Sequence, residues 1–223
     1  MVNIKVMEKR LIDFSFMASL KCNLSCEHCM YESSPSNNAR LNLKQTEKFI
    51  STINFDKINS CGFYGGEISC DYELYQSIID MLPKDSIKFT ITNGSWSNNE
   101  AATKRFADFA QKNNLQVFIS STKFQKLFQH SDRLKKIISK YDFIIKDDDY
   151  VIPMGRAKKE DWSCSKKCLF YKVPMRLTLN PYGQIMFCNC DGVYPLVGTY
   201  NDKFETIVNN ALSLNKFCPK LKN

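Results

Sequence analysis

The alternation of strand-like and helix-like segments is the feature of this sequence that most restricts its fold. Runs rich in β-branched and aromatic residues lie at 12–19, 58–65, 87–94, 115–121, 143–146 and 150–154. Runs with apolar residues at helical spacing separate them, at 41–53, 72–82, 100–113 and 133–141. This alternation predicts a parallel sheet with helical crossovers, and five or six such units predict a partial (β/α)6 TIM-like barrel.

The pattern changes after residue 160. Residues 164–190 contain two strand-like runs around a Pro-Tyr-Gly turn at 181–183, which together are a hairpin signal. A last helix is predicted near 203–215. We therefore predict an α/β core over residues 1–157 and a small C-terminal domain of β-hairpin plus helix over residues 158–223.

Polar motifs follow each predicted strand of the core. In order along the chain they are Cys22, Cys26 and Cys29, then Gly65-Gly66-Glu67, Thr92-Asn93-Gly94, Ser120-Ser121, Lys146-Asp147 and Gly155-Arg156-Ala157. Parallel α/β folds carry their chemistry at the C-terminal ends of the strands. We therefore expect these motifs to meet on one edge of the sheet.

The composition excludes several classes of protein. With 43% hydrophobic residues the chain can bury a core, and no apolar run approaches the roughly 20 residues of a transmembrane helix. The charged N-terminal segment does not fit a signal peptide, so we expect a cytoplasmic protein. The net charge of +8 fits a lysine-rich surface, because no arginine-rich stripe or RNA-binding motif indicates a nucleic-acid partner. Ten cysteines in a reducing compartment predict metal ligands or reactive thiols rather than disulfides.

Three of these cysteines lie within eight residues, in the spacing Cys22-x3-Cys26-x2-Cys29. Structural zinc sites and iron–sulfur clusters are typically held by four ligands. The next cysteine in the chain is Cys61. His28 is an unfavourable fourth ligand because it is adjacent to Cys29, and adjacent residues rarely bind one tetrahedral metal together. Three protein ligands therefore leave one metal position free for another ligand.

The three-cysteine spacing, placed after the first strand of a β/α series, resembles that of the radical S-adenosylmethionine (radical SAM) enzymes. The resemblance covers about residues 10–157. It implies a [4Fe–4S] cluster held by Cys22, Cys26 and Cys29, with S-adenosylmethionine on the fourth iron. It also implies an electron donor such as flavodoxin or ferredoxin, and a 5′-deoxyadenosyl radical that abstracts hydrogen from the substrate.

Other residues of the same edge resemble the cofactor-binding segments of this family. Gly65, Gly66 and Glu67 match the segment that receives the methionine amino group, although Ile68 stands where the family usually has proline. Glycines let a backbone approach a ligand closely, and a carboxylate accepts a hydrogen bond from an ammonium. His28 occupies the position near the adenine; the alternative is a solvent-facing histidine. The same resemblance implies contacts to the ribose or the methionine carboxylate from Asn93, Ser120 and Ser121.

A second group of cysteines lies near the C-terminus: Cys164, Cys168, Cys188, Cys190 and Cys218. The spacing from Cys168 to Cys188, with Gly183 at the turn, resembles the opening of the SPASM and Twitch extensions of some radical SAM enzymes. The resemblance implies a Twitch-like domain with one auxiliary [4Fe–4S] cluster, whose ligands are Cys168, Cys188, Cys218 and either Cys164 or Cys190. The alternative is a zinc knuckle.

Three further residues have less specific patterns. Cys61 and Cys70 match neither cysteine group and fit ordinary buried thiols, although Cys61 on the second strand is also a candidate hydrogen-atom donor. Arg156, just after the sixth predicted strand, is a candidate to pair with a substrate carboxylate or with the cofactor. Its alternative is a surface arginine at the domain junction.

These features support three hypotheses for function. The first is an oxidoreductase-like radical SAM enzyme that crosslinks, oxidises or epimerises a side chain of a ribosomal peptide or a protein. The second is a Twitch-type radical dehydrogenase of a small molecule such as an aminoglycoside precursor. The third is a non-catalytic zinc- or cluster-binding module, which the ordered motifs at the strand ends do not favour.

Overall fold

The structure is a computed structural model that describes residues 12–121, 132–147, 155–156, 175–187 and 195–215. Several predictions fall outside these ranges. They are the strand predicted at 150–154, the domain boundary near residue 158 and the C-terminal cysteines Cys164, Cys168, Cys188, Cys190 and Cys218.

In the described residues, eight strands form one sheet. They are β1 (Ile12–Met17), β2 (Ile58–Tyr64), β3 (Lys88–Thr92), β4 (Leu115–Ser121), β5 (Ile144–Asp147), β6 (Met175–Leu179), β7 (Gln184–Phe187) and β8 (Leu196–Thr199). Their order is β5-β4-β3-β2-β1-β6-β7-β8. All neighbouring pairs from β5 through β1 to β6 are parallel. The pairs β6–β7 and β7–β8 are antiparallel. The sheet does not close over the described residues, which confirms the predicted partial barrel.

The predicted hairpin is present as β6 and β7, with Gly183 at positive φ in the turn. Strand β6 pairs in parallel with β1, from Ile12 opposite Met175 to Phe16 opposite Leu179. One sheet therefore runs from the first core strand into the C-terminal region, and the division at residue 158 stays a prediction. Strand β8 was not predicted, because its four residues Leu-Val-Gly-Thr carry no period-2 pattern.

The part of the chain that the structure describes also contains five α-helices: α1 (Leu43–Ile50), α2 (Tyr72–Asp80), α3 (Glu100–Lys112), α4 (Asp132–Tyr141) and α5 (Phe204–Asn215). Two begin at asparagine caps, since Asn42 accepts from the Gln45 N–H and Asn99 accepts from the Ala102 N–H. Within the described ranges, no helix is both long and apolar enough to cross a membrane.

Aromatic packing fixes two of these helices against the same face of β1. Phe14 and Phe16 share that face because side chains two positions apart on a strand point the same way. The Phe14 ring lies 5.8 Å from Phe49 of α1 and 6.1 Å from Phe204 of α5, and Phe16 stacks 5.7 Å from Phe63 of β2. Helices α1 and α5 therefore both pack on strand β1.

We expect Phe14→Ala to lower the free energy of unfolding by about 3–5 kcal/mol, because the side chain is 1% exposed and its removal leaves a cavity. Urea denaturation followed by circular dichroism measures the change. The control is Tyr182→Ala, whose side chain is 65% exposed and whose removal should change stability by less than about 0.5 kcal/mol. A loss below 1 kcal/mol for Phe14→Ala would contradict this packing.

Candidate functional site

The C-terminal ends of the parallel strands meet at one edge of the sheet, as the sequence predicts. The loop that carries Cys22, Cys26 and Cys29, here called the cysteine loop (residues 18–34), leaves the end of β1. Gly65–Glu67 follows β2, and Asn93 follows β3. Hydrogen bonds join these three segments directly.

Main-chain hydrogen bonds hold the first part of the cysteine loop as a continuation of β1. Gly66 N–H donates to Ser19 O at 2.7 Å, and Glu67 N–H donates to Lys21 O at 2.9 Å. On the other side, Cys22 N–H donates to Ser34 O at 3.1 Å. Cys22 therefore stands where regular pairing ends and the irregular part of the loop begins.

The two glycines after β2 permit this close pairing. Gly65 has a φ of +134°, a backbone conformation that side chains other than glycine rarely adopt. A Cβ on Gly66 would overlap the carbonyl of Lys21. The glycines predicted to let a ligand approach the backbone thus bring two protein segments together, and their contact with a cofactor stays a prediction.

The Glu67 carboxylate is buried, with 1% of the residue exposed, and accepts four hydrogen bonds. Its Oε1 atom accepts from Thr92 Oγ1 at 2.7 Å, from Ser69 Oγ at 3.0 Å and from Ser69 N at 3.3 Å. Its Oε2 atom accepts from Asn93 N at 2.8 Å. Burial raises the pKa of Glu67, and these hydrogen bonds oppose that rise. Glu67 therefore links the end of β2 to the end of β3.

The Asn93 side chain continues this network to the cysteine loop. Its Nδ2 atom donates to Asn23 Oδ1 at 3.0 Å and to Cys22 Sγ at 3.7 Å, and its Oδ1 atom accepts from Ser95 N at 2.9 Å. Cys22 Sγ also accepts from Leu24 N at 3.4 Å. Burial raises the pKa of the Cys22 thiol to about 12, and the Leu24 N–H opposes the rise. N–H donors of this kind support sulfur ligands of metal centres.

Arg156 reaches the second half of the loop. Its Nε atom donates to Cys26 O at 2.8 Å, its Nη2 atom donates to Ser33 O at 2.7 Å, and its main-chain N–H donates to Cys29 O at 3.1 Å. Burial raises the pKa of the Cys26 thiol, a charge on Cys29 raises it further, and the positive charge of Arg156 lowers it. The predicted pairing of Arg156 with a substrate carboxylate or with the cofactor stays a prediction.

The donor set of the cysteine loop fits an iron–sulfur cluster. Cys22, Cys26 and Cys29 are half-buried free thiols in one loop, and thiolates are the ligands that such clusters use. Among the described residues, no three His, Cys, Asp or Glu side chains converge closely enough to hold a metal ion. The fit therefore rests on the chemistry of the donors and on the N–H groups at Cys22 rather than on a preformed geometry.

The other predicted site residues in the described ranges are His28, Cys61, Ser120 and Ser121. His28 is half-buried in the cysteine loop, and Ser120 is half-buried at the end of β4 beside Ser121, whose side chain lies outside the described atoms. Cys61 is 1% exposed, and burial raises its pKa to about 12. That environment favours an ordinary buried thiol, and the role of Cys61 as a hydrogen-atom donor stays a prediction.

Thr92 and Cys70 belong to the site, although no role was predicted for Thr92 and Cys70 was predicted to be an ordinary buried thiol. Thr92 Oγ1 donates to Glu67 and accepts from Trp96 Nε1 at 2.9 Å. Cys70 is half-buried. Burial and the charge of Glu67 raise its pKa, and a hydrogen bond from the main chain of Asn23 opposes this rise. A polar residue at a strand end is a signal for Thr92, whereas no sequence pattern identifies Cys70.

No family model matches the chain. The protein "Putative peptide biosynthesis protein YydG" of Bacillus subtilis (strain 168) is 26% identical over 121 residues. The match covers 53% of this chain and 38% of that protein, so this chain spans little more than a third of the length of the curated relative it matches.

Two solved structures share the fold at low sequence identity. The structure of BtrN in complex with AdoMet and 2-DOIA matches with a TM-score of 0.62 and 11% identity, over 94% of this chain and 87% of that one. The structure of anSMEcpe with bound AdoMet and Cp18Cys peptide matches with a TM-score of 0.50 and 14% identity, over 91% and 81% of the two chains. These matches show that the chain shares its fold with two proteins solved with bound AdoMet, and they confirm the partial barrel that the alternation of strands and helices predicts.

We expect Glu67→Ala to lower the free energy of unfolding by about 2 kcal/mol or more. The reason is that the buried Thr92 hydroxyl and Asn93 N–H lose their acceptor, and each such loss costs about 1–3 kcal/mol. Chemical denaturation of the cluster-free protein measures the effect. Glu47→Ala, at an exposed position of α1, is the control and should be nearly neutral. Equal stability of the two variants would show that the Glu67 network does not hold the strand ends.

Proposed function

We propose that this chain is a radical SAM enzyme that modifies a side chain of a ribosomal peptide or a protein. It would cleave S-adenosylmethionine reductively and abstract a hydrogen atom from its substrate, leading to a crosslink, an oxidation or an epimerisation. One observation supports this most strongly. Three half-buried thiols share the loop after β1 of a partial barrel, and a buried network from β2 and β3 ends on the first of them.

In this proposal Cys22, Cys26 and Cys29 hold a [4Fe–4S] cluster through their sulfur atoms. Each thiol loses its proton on ligation, because the thiolate is the metal ligand. When bound, the cluster and S-adenosylmethionine supply an electron and a 5′-deoxyadenosyl radical. Asn93 and Leu24 donate N–H hydrogen bonds to the Cys22 sulfur, and they stabilise the negative charge that this sulfur acquires.

The cofactor would lie against the segments after β2, β3 and β4. Three of the four hydrogen bonds to Glu67 fall on Oε1, so Oε2, which accepts from Asn93 N, retains capacity for a further donor such as the methionine ammonium. The remaining contacts proposed for the cofactor come from His28, Gly65, Gly66, Asn93, Ser120 and Ser121.

The sequence relative supports a peptide or protein as the substrate. The name of the Bacillus subtilis protein states peptide biosynthesis, and anSMEcpe was solved with a peptide. The alternative, a Twitch-type dehydrogenase of a small molecule, has support from the likeness to BtrN, which at 11% identity concerns the fold alone. An electron donor such as flavodoxin or ferredoxin and a cytoplasmic location complete the proposal.

A second cluster belongs to the proposal as well. Cys168, Cys188 and Cys218, with either Cys164 or Cys190, would hold an auxiliary [4Fe–4S] cluster. With four thiolates this cluster would accept an electron from a substrate radical, and with three it would leave one iron to bind the substrate. In support, β6 and β7 form the predicted hairpin that separates Cys168 from Cys188. Strand β6 lies beside β1, the strand that leads into the cysteine loop.

Replacement of Cys22, Cys26 and Cys29 together by alanine should abolish the formation of 5′-deoxyadenosine, because no thiolate remains to hold the first cluster. Anaerobic assays with dithionite, read by liquid chromatography, measure this product. The same variant should retain the iron of the auxiliary cluster. Reductive cleavage of S-adenosylmethionine by the triple variant would refute the assignment.

Replacement of Cys168 and Cys188 by alanine should give the opposite pattern, provided that circular dichroism shows folded protein. Cleavage of S-adenosylmethionine should persist, whereas the modified substrate should disappear because the auxiliary cluster is lost. Normal amounts of modified substrate would reduce this region to a structural cap.

Glu67→Gln should weaken the binding of S-adenosylmethionine while leaving the iron content unchanged. The loss of one charge-assisted hydrogen bond is worth about 1.5–3 kcal/mol, or about 10- to 150-fold in affinity. Calorimetry on the cluster-loaded protein measures it, with Glu47→Gln as the matched control. Unchanged affinity would leave Glu67 with a purely structural role.

A further inference from the structure

We propose that Arg156 is a positioning residue that holds the cysteine loop between Cys26 and Ser33 in its folded path. We further infer that its charge makes the cluster of the proposed function easier to reduce. The positioning role concerns this chain alone, and the effect on the cluster rests on the proposed function.

The contacts of Arg156 are long-range in sequence and converge on one loop. The guanidinium donates to Cys26 O, 130 residues earlier in the chain, and to Ser33 O, 123 residues earlier. The main-chain N–H adds a third bond, to Cys29 O. One residue therefore donates to the carbonyls of Cys26 and Cys29, the last two cysteines of the motif, and to the carbonyl of Ser33.

Gly155 makes this approach possible. Its φ is +55°, and a Cβ on it would lie 2.6 Å from Met30 O and 2.7 Å from Cys29 O. Real Cβ atoms are not found so close to backbone oxygens, so only glycine allows the segment to lie against the loop here. Gly155 and Arg156 thus act together, the first by its small size and the second by its donors.

The irregular part of the loop is also supported at its far end, where Ser33 Oγ donates to Gly65 O at 3.1 Å and the Tyr31 ring stacks 5.8 Å from the Tyr64 ring. Within it, Cys29 N–H donates to Cys26 O at 3.1 Å and Glu32 N–H donates to Cys29 O at 3.4 Å, which are local turns. In the part of the chain that the structure describes, hydrogen bonds from outside the loop reach Cys26 and Cys29 only from Arg156. By contrast, Cys22 is supported by main-chain pairing and by Asn93.

The chemistry of arginine suits this place better than that of lysine. A planar guanidinium presents donors on separate nitrogens in a rigid fork, so it reaches two carbonyls that lie apart, whereas the three donors of an ammonium share one nitrogen. It also keeps its positive charge at any working pH. That charge lies beside the main chain of Cys26, where it favours the addition of an electron to a centre held by the neighbouring thiolates.

The experiment compares Arg156→Gln, Arg156→Lys and Lys48→Gln. The glutamine variant removes the fork and the charge, the lysine variant keeps the charge, and Lys48→Gln removes one charge from an exposed position of α1 as the control. Hydrogen exchange by mass spectrometry on cluster-free protein is the first measurement. Redox titration followed by electron paramagnetic resonance on cluster-loaded protein is the second.

For the loop, we expect amides of residues 22–34 to exchange about 5- to 100-fold faster in Arg156→Gln, since two hydrogen bonds are lost. Arg156→Lys should lie between this variant and the unaltered chain. Exchange in β2 should be the same in all variants, which shows that the sheet is intact. Unchanged exchange of the loop in Arg156→Gln would overturn the positioning role.

For the cluster, we expect a lower midpoint potential in Arg156→Gln, and a potential close to that of the unaltered chain in Arg156→Lys and Lys48→Gln. An unchanged potential in Arg156→Gln would overturn the electrostatic part and leave the positioning role to the exchange data. If the unaltered chain assembles no cluster while its loop still loosens in Arg156→Gln, the proposed function fails and the positioning role stands.

Discussion

The buried carboxylate of Glu67 is the interaction on which the arrangement of the site depends. A buried charge is tolerated only when hydrogen bonds replace its hydration, and here donors from Ser69, Thr92 and Asn93 do so. Thr92 is itself held by the indole of Trp96, which stacks 4.2 Å from Phe106 of α3. The network therefore connects the end of β3 and its following helix to the end of β2. Through Asn93 it extends to Cys22, so the core of the fold positions the first of the three thiols.

The other two thiols depend on a different part of the chain. Cys26 and Cys29 receive their long-range hydrogen bonds from Arg156, which lies beyond the fifth strand. The loop is thus supported by two separate parts of the chain: the segments after β2 and β3, and the segment after β5. The path of the loop in the folded protein therefore depends on contacts with both of these parts.

Buried polar pairs also join the C-terminal hairpin to the core. Tyr64 Oη and Thr178 Oγ1 lie 2.7 Å apart, and Arg176 Nη2 lies 3.5 Å from the Asp13 carboxylate, which also accepts from Ser60 and Asn59. Because buried polar groups need partners, these pairs disfavour a shift of β6 relative to β1. They therefore set the register in which the β6–β7 hairpin meets the core.

The sequence by itself determined the order of the helices and of strands β1 to β7, the edge of the sheet on which the motifs lie, and the three thiols of the cysteine loop. These features are local, because hydrophobic periodicity and cysteine spacing are read within a few residues. The tertiary structure alone decided that Gly66 packs on Lys21, that Glu67 is satisfied by Thr92 and Asn93, and that the β6–β7 hairpin continues the sheet at β1. It alone also directed Arg156 to the carbonyls of Cys26 and Ser33. The physical reason is that these contacts join residues at least 25 positions apart in the sequence, whereas hydrophobic periodicity and cysteine spacing are read within a few residues.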